Sequence, residues 1–280
     1  MKLGDLEFWL ITDGTFRLDG GAMFGVIPRP MWERVAPPDG RNRILMAMNS
    51  LLIRAAGKWI LLETGGGDKW DAKRADIYAF ESAPRLLDKL ATHGLPPEKI
   101  DIVINTHLHF DHCGWNTRIV NGTAAPTFPN ARYIVQRGEL EHAKDPSDRD
   151  RASYFVENFM PMEESGQWSL LEGDAEVVPG VELIRVPGHN RDMMCARLTG
   201  GGKTVFFFAD LIPTAAHVPF PWIMGYDLYP LTTLDNKKKW IPQAAQEGWL
   251  VIFGHESSTP AGYLLEQKGK YVLEPVMIDG

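Results

Sequence analysis

Cysteine is almost absent. Cys113 and Cys195 are the only two in 280 residues, too few for a disulfide framework, so the chain is expected in a reducing compartment, the cytoplasm. Long apolar runs are missing too. None approaches the roughly 20 residues that span a bilayer, and residues 1–5 lack the apolar stretch of a secretory leader, so no membrane partner is expected. No basic block occurs, and 29 Lys and Arg against 36 Asp and Glu give a formal charge of −7. Such a chain cannot neutralise a phosphate backbone, which argues against a nucleic-acid partner. There is no low-complexity segment and no convincing linker. What is present is a globular composition, 44% hydrophobic and 23% charged. It excludes disordered, collagen-like and coiled-coil chains and leads us to expect one domain over residues 1–280.

The pattern along the chain is mixed. Residues 6–18 read as a pair of strands, and 44–54 and 58–62 as two strands joined at Ala56-Gly57. Residues 84–93 read as a helix with Leu86, Leu87 and Leu90 on one face and Gly94 as its stop. Short apolar strands follow at 100–105, 131–135, 181–186, 193–198, 204–208 and 249–253, with one more at 271–276. A polar helix is expected over 137–144. Another is expected within 232–247, where Pro242 limits regularity and Lys237-Lys238-Lys239 reads as a solvated face. The order of elements repeats faintly. In each half a hairpin leads to an acidic residue (Glu63, then Asp210), and after a helix and a strand comes a histidine (His107, then His255). The echo points to two similar layers whose polar residues converge at a shared edge.

The chemistry is concentrated in Thr106-His107-Leu108-His109-Phe110-Asp111-His112, directly after an apolar strand. In an extended stretch His107 and His109 point the same way. A turn into a helix at Asp111 would aim Asp111 and His112 at a second point nearby. Imidazole and carboxylate suit zinc first, and iron, cobalt or manganese as well. His189, Asp210 and His255 each end a later apolar strand. Together these seven residues are enough for two divalent ions.

In its order, His107-x-His109-x-Asp111-His112 followed by His189, Asp210 and His255 resembles the metallo-β-lactamase superfamily, and among its branches looks most like the lactonase and phosphotriesterase-like hydrolases. The resemblance implies an α+β fold, an αβ/βα sandwich of two mixed sheets flanked by helices, with a metal pair at one edge. It implies that His107, His109 and His189 hold one ion, that Asp111, His112 and His255 hold the other, and that Asp210 bridges them. Two positions depart from the pattern. Glu63-Thr64-Gly65 stands where many members carry Asp-Thr-Gly, and Met193 stands where many hydrolases carry a further histidine, which implies a missing hydrogen bond near the metals. A histidine at 109 argues against the diiron redox branch, which has glutamate there.

The implied function is a hydrolase that uses a metal-activated water to open a lactone or a related hydrophobic ester, with phosphotriesterase activity as a side reaction. A thioesterase, a β-lactamase or a metal-binding protein without turnover are the alternatives. Asp111 is a candidate proton relay, Asp210 the bridge, and Tyr226 a candidate donor to a substrate oxygen. Two segments are unusually apolar for loops: one carries Met23, Phe24 and Trp32, the other Phe220, Trp222 and Tyr226. They either wall a substrate pocket, or pack on one another or on a second copy in a homodimer.

Overall fold

The computed structural model describes residues 1–80 and 85–278. Its strands in chain order are β1 (Lys2–Leu3), β2 (Leu6–Asp19), β3 (Arg43–Ala55), β4 (Lys58–Leu62), β5 (Ile102–Ile104), β6 (Thr117–Val120), β7 (Thr123–Pro126), β8 (Arg132–Gln136) and β9 (Trp168–Leu171). They continue with β10 (Ala175–Val178), β11 (Val181–Arg185), β12 (Met194–Gly200), β13 (Lys203–Phe207), β14 (Leu250–Ile252), β15 (Ala261–Gln267) and β16 (Lys270–Pro275). One seven-stranded sheet has the order β1-β2-β3-β4-β5-β8-β9, a second runs β10 to β16 in sequence, and β6 and β7 form a separate hairpin.

Alternation of side chains along the strands builds the layers. Ile53, Ile60, Leu62 and Ile104 of the first sheet share a buried cluster with Leu183, Ala196, Val205 and Phe207 of the second, so the inner faces pack on each other. On the outer face of the first sheet, Leu61, Val103 and Tyr133 meet Leu86 and Leu90 of the helix Leu86–Thr92. On the outer face of the second, Phe206 stacks on Trp240 of the helix Pro230–Gln246 and on Trp249, each at 5.3 Å between ring centroids. Burying a side chain of this size contributes about 1.5–3 kcal/mol. The result is the mixed αβ/βα sandwich that the sequence implied.

The echo between the halves is visible in the pairing. The antiparallel pair β3–β4 is followed by parallel β4–β5, and antiparallel β12–β13 by parallel β13–β14. Glu63, His107, Asp210 and His255 therefore leave the C-terminal ends of parallel strands.

Several elements differ from the sequence reading. Residues 6–19 form one long strand, not a strand pair, with a register shift between Thr12 and Thr15. The bulge turns Asp13 inward. There it accepts hydrogen bonds from the backbone N–H groups of Gly66 (3.0 Å), Gly67 (3.1 Å) and Leu86 (2.8 Å), from Trp115 Nε1 (2.7 Å) and from Arg85 Nε (3.1 Å). Gly65 has no room for a side chain here: a Cβ would lie 2.3 Å from that of Asp13, and its φ is +60°. The helix expected over 84–93 spans Leu86–Thr92, and Pro84 lies outside the described residues. The hairpin β6–β7 and strands β9, β10 and β15 were not expected. The Asn121-Gly122 turn, with φ of 52° and 82°, was the available signal for the hairpin.

Lys237 is a further correction. It is fully buried rather than solvated, and its ammonium donates to the carbonyls of His217 (2.7 Å), Pro219 (2.8 Å) and Trp222 (2.8 Å). Burial pulls its pKa down to about 7. Cys113 and Cys195 are free and buried, and burial pushes both thiols well above their ordinary range.

Candidate metal centre

The chain leaves β5 extended through His107 and His109, then turns into a short helix, Phe110–Cys113, that carries Asp111 and His112. The loop after β11 brings His189, the turn after β13 brings Asp210, and the end of β14 brings His255. The seven side chains meet in two buried groups. His107, His109, His189 and Asp210 form one, and Asp111, His112 and His255 the other, with the candidate ligand atoms of each group within 4.8 Å of one another. Asp210 stands between them. Its Oδ2 lies 3.3 Å from His189 Nε2 and 3.8 Å from His107 Nε2, and its Oδ1 lies 3.1 Å from His255 Nε2 and 3.5 Å from His112 Nε2.

The hydrogen bonds around the rings show what these atoms lack. His112 Nδ1 faces Glu63 Oε2 at 3.2 Å, and His255 Nδ1 faces the Ala47 carbonyl at 2.8 Å. Both acceptors require the proton on Nδ1. In the neutral rings each Nε2 then carries a lone pair, yet the two Nε2 atoms lie 3.1 Å apart. His189 repeats the arrangement: Nδ1 donates to Asp227 Oδ1 at 3.0 Å, and Nε2 faces His109 Nδ1 at 3.0 Å. His107 Nε2 and Asp210 Oδ1 are buried with no hydrogen-bond partner among the described residues. Lone pairs turned on one another away from water are costly unless a proton or a cation lies between them. The donor set fits divalent cations of the zinc type.

The electrostatics carry the same strain. Burial and the neighbouring rings hold His107 and His109 well below the ordinary imidazole range. Burial opposes charge on His112 as well, but Asp210, Asp111 and Glu63 raise it well above that range. Burial would raise the Asp210 carboxyl, yet His255, His112 and His189 hold it well below its usual value.

Neighbouring residues orient these groups. Glu63 occupies a strained backbone position, φ 67°, and uses both oxygens, one on His112 and one on the Thr106 N–H at 2.8 Å. The longer acid therefore spans the place of the usual aspartate. Met193 is buried in the core, and Asp227 gives His189 a carboxylate partner while accepting from Thr233 Oγ1 at 2.7 Å. Asp227 was missed in the sequence. So was Glu139, which accepts from the Leu108 N–H (2.9 Å) and Tyr154 (3.1 Å) and whose carboxyl burial pushes up to about 7.

A cavity of about 560 Å³ opens on His109, Asp111, His189, Asp210 and His255. Of the residues expected to wall it, Met23 and Tyr226 do, joined by Leu18, Met46, Ile77 and Met224. Phe24, Trp32, Phe220 and Trp222 are absent from its lining. Phe24 stacks on Trp32 (5.4 Å) and His217 (4.6 Å) and meets Trp222 edge-on (5.5 Å), forming a satellite core, while Phe220 packs on Tyr271 at 5.9 Å. The aromatic rings found better burial against each other than against a cavity.

The sequence profile of the metallo-beta-lactamase superfamily matches residues 45–255, which span all seven candidate ligands. The chain belongs to the metallo-beta-lactamase superfamily. Within this superfamily it is 31% identical over 177 residues to the N-acyl homoserine lactonase AiiA of Bacillus thuringiensis subsp. kurstaki, an alignment covering 61% of this chain and 62% of the relative. The chain thus spans less than two thirds of that relative's length. In structure it is similar to a probable metal-dependent hydrolase from Staphylococcus aureus, with a TM-score of 0.90, 28% identity and coverage of 99% and 100% of the two chains. It also shares its fold with AidC, described as a dizinc quorum-quenching lactonase, at a TM-score of 0.81 and 20% identity, covering 100% of this chain and 97% of the other. No helix among the described residues is long and apolar enough to cross a membrane.

Proposed function

We propose that the chain is a dinuclear-metal hydrolase, one domain over residues 1–280, that opens lactones or related hydrophobic esters. The observation that carries this reading is Asp210, with one oxygen turned to His107 and His189 and the other to His112 and His255 beside a cavity. In this reading His107, His109 and His189 would hold one cation, Asp111, His112 and His255 would hold the second, and Asp210 would serve both. Zinc is the first choice, with iron, cobalt or manganese as alternatives. When bound, such ions polarise a carbonyl oxygen and make a water acidic enough to ionise near neutral pH.

The chain's own residues do the rest. Leu18, Met23, Met46, Ile77 and Met224 take the apolar part of the substrate and exclude water. Burial raises the Tyr226 phenol above its ordinary pKa, so it stays protonated and can donate to a substrate oxygen. Asp111, buried but lining the cavity, relays the proton lost by the attacking water to the leaving alkoxide. The similarity to AiiA favours a lactone over the thioesters, β-lactams and phosphotriesters that the same ligand set could serve. A panel of these four classes, assayed with Zn, Co, Mn and Fe forms, tests the reading. Lactones should give the highest kcat/KM. Preference for another class would move the assignment, and a metal-loaded protein inert to all four would favour a non-catalytic metal-binding role.

A further inference from the structure

The cavity has a charged rim that the hydrolase reading leaves unused. Arg17, Arg41, Arg43 and Arg149 all line it. Two of them are committed. Arg41 Nη1 donates to both oxygens of Asp76, at 2.9 and 3.0 Å. Arg43 Nε donates to Asp39 at 2.9 Å, and its Nη1 to the carbonyls of Asp76 (2.7 Å) and Ile77 (2.9 Å). The other two have no carboxylate partner among the described residues. Arg17, half-buried, makes one long contact, 3.5 Å from Nη1 to the Arg43 carbonyl. Arg149 donates from Nη2 to the Gly225 carbonyl at 2.5 Å.

The nearby acids are already engaged. Asp19 accepts from the Ala22 N–H and from Asn42 Nδ2, both at 2.8 Å. Asp150 accepts from His142 Nε2 and Ser147 Oγ, both at 2.6 Å. Asp111 and Asp210 belong to the metal centre. The carbonyls that Arg17 and Arg149 contact are linked through one stretch of rim backbone. Arg17 reaches Arg43, which lies opposite Asp19 in the β2–β3 register. Arg149 reaches Gly225, whose N–H donates to the Ala22 carbonyl at 2.8 Å, and Ala22 is in turn bonded to Asp19. Arg17, half-buried without a counter-ion, has lost hydration and gained little, while Arg149 stands exposed at the rim with donors to spare; the fork of N–H donors of each matches the two oxygens of a carboxylate.

We propose that Arg17 and Arg149 bind a carboxylate at the far end of the substrate. The preferred lactone or ester then carries an apolar chain ending in an anion rather than in a methyl group. The inference rests on the hydrolase reading for the scissile group, while the apolar walls take the chain and the arginines take its end. It adds a charged end to the hydrophobic ester expected from the sequence.

The test compares lactones of equal acyl length that end in carboxylate or in methyl. A charge-assisted hydrogen bond of ordinary strength favours the carboxylate series by roughly 10-fold in kcat/KM. Raising the salt concentration should shrink that ratio. The double variant Arg17→Gln, Arg149→Gln should abolish it while leaving the methyl series within about twofold of wild type. Equal rates on both series, or a preference that survives in the double variant, would overturn the proposal. In parallel, calorimetry on the metal-loaded protein compares saturated dicarboxylates with monocarboxylates of equal length. Binding roughly 10-fold tighter for the dicarboxylate, lost in the double variant, supports the arginine site even if no lactone is turned over. Equal binding refutes it. Inertness toward both lactone series counts against the hydrolase reading alone.

Discussion

Asp227 touches no candidate metal atom, yet it governs one that does. Its Oδ1 accepts from His189 Nδ1 at 3.0 Å, its Oδ2 accepts from Thr233 Oγ1 at 2.7 Å, and both His189 and Asp227 are buried. Replacing it with alanine removes the anion that fixes the His189 tautomer and leaves a buried N–H without a partner, a loss of about 1–3 kcal/mol. Outer partners of metal-binding histidines are typically worth 10–100-fold in affinity, or about 1.4–2.7 kcal/mol. The two routes agree, so Asp227→Ala should weaken binding of the ion proposed at His107, His109 and His189 by roughly 10–100-fold. Asp227→Asn keeps an acceptor for Nδ1–H and loses only the charge, so it should lie at the low end of that range. Zinc titration against a chromophoric chelator, resolving the two binding steps, reads the effect. The melting temperature of the metal-free variants separates it from loss of the Thr233 bond. If both variants bind the first ion within twofold of wild type, the assignment of Asp227 to the metal centre is wrong.

Three other outcomes are expected. Elemental analysis of fully loaded protein should give two metal ions per chain, because seven ligands exceed the needs of one tetrahedral ion; one ion would exclude the dinuclear reading. Among methyl-terminated lactones, each added methylene should raise affinity by up to ~0.8 kcal/mol until the cavity fills. Met224→Ala should flatten that trend, and Phe24→Ala should lower stability instead by about 3–5 kcal/mol, as read by chemical denaturation. Burial, together with the charge on Lys237, pushes His217 down to about 3 despite its bond to the Met23 carbonyl, so between about pH 6.5 and 3 the unfolded chain binds the extra proton. Stability should therefore fall with acidification across that window, and a variant His217→Gln should show a shallower slope in denaturation midpoints measured from pH 7 to 4.

The candidate ligands are legible in the sequence because each ends an apolar strand, and a strand end is where a short hydrophobic run stops. The parallel pairs β4–β5 and β13–β14 then carry those ends to one edge. Asp227 gives no such sign, because it sits in an irregular loop and meets His189 across 38 residues of chain. The apolar loops fail differently. Sequence shows that Phe24, Trp32 and Trp222 avoid water, but not whether they avoid it in a cavity wall or against each other. Lys237 was readable after all. Its spacing from Trp240, Ile241 and Ala244 is that of one helical face, and that face is buried. The run of three lysines obscured a phase that the neighbouring residues define.

The amine of Lys237 is a hydrogen-bond donor that no chelator can remove. It gathers the carbonyls of residues 217, 219 and 222 as a bound metal ion would, and the same loop runs on directly to Met224 and Tyr226 in the cavity wall. The shape of the substrate chamber and the charge of its reactive centre are thus under separate control. Stripping the His/Asp site should empty the chemistry and leave the chamber standing.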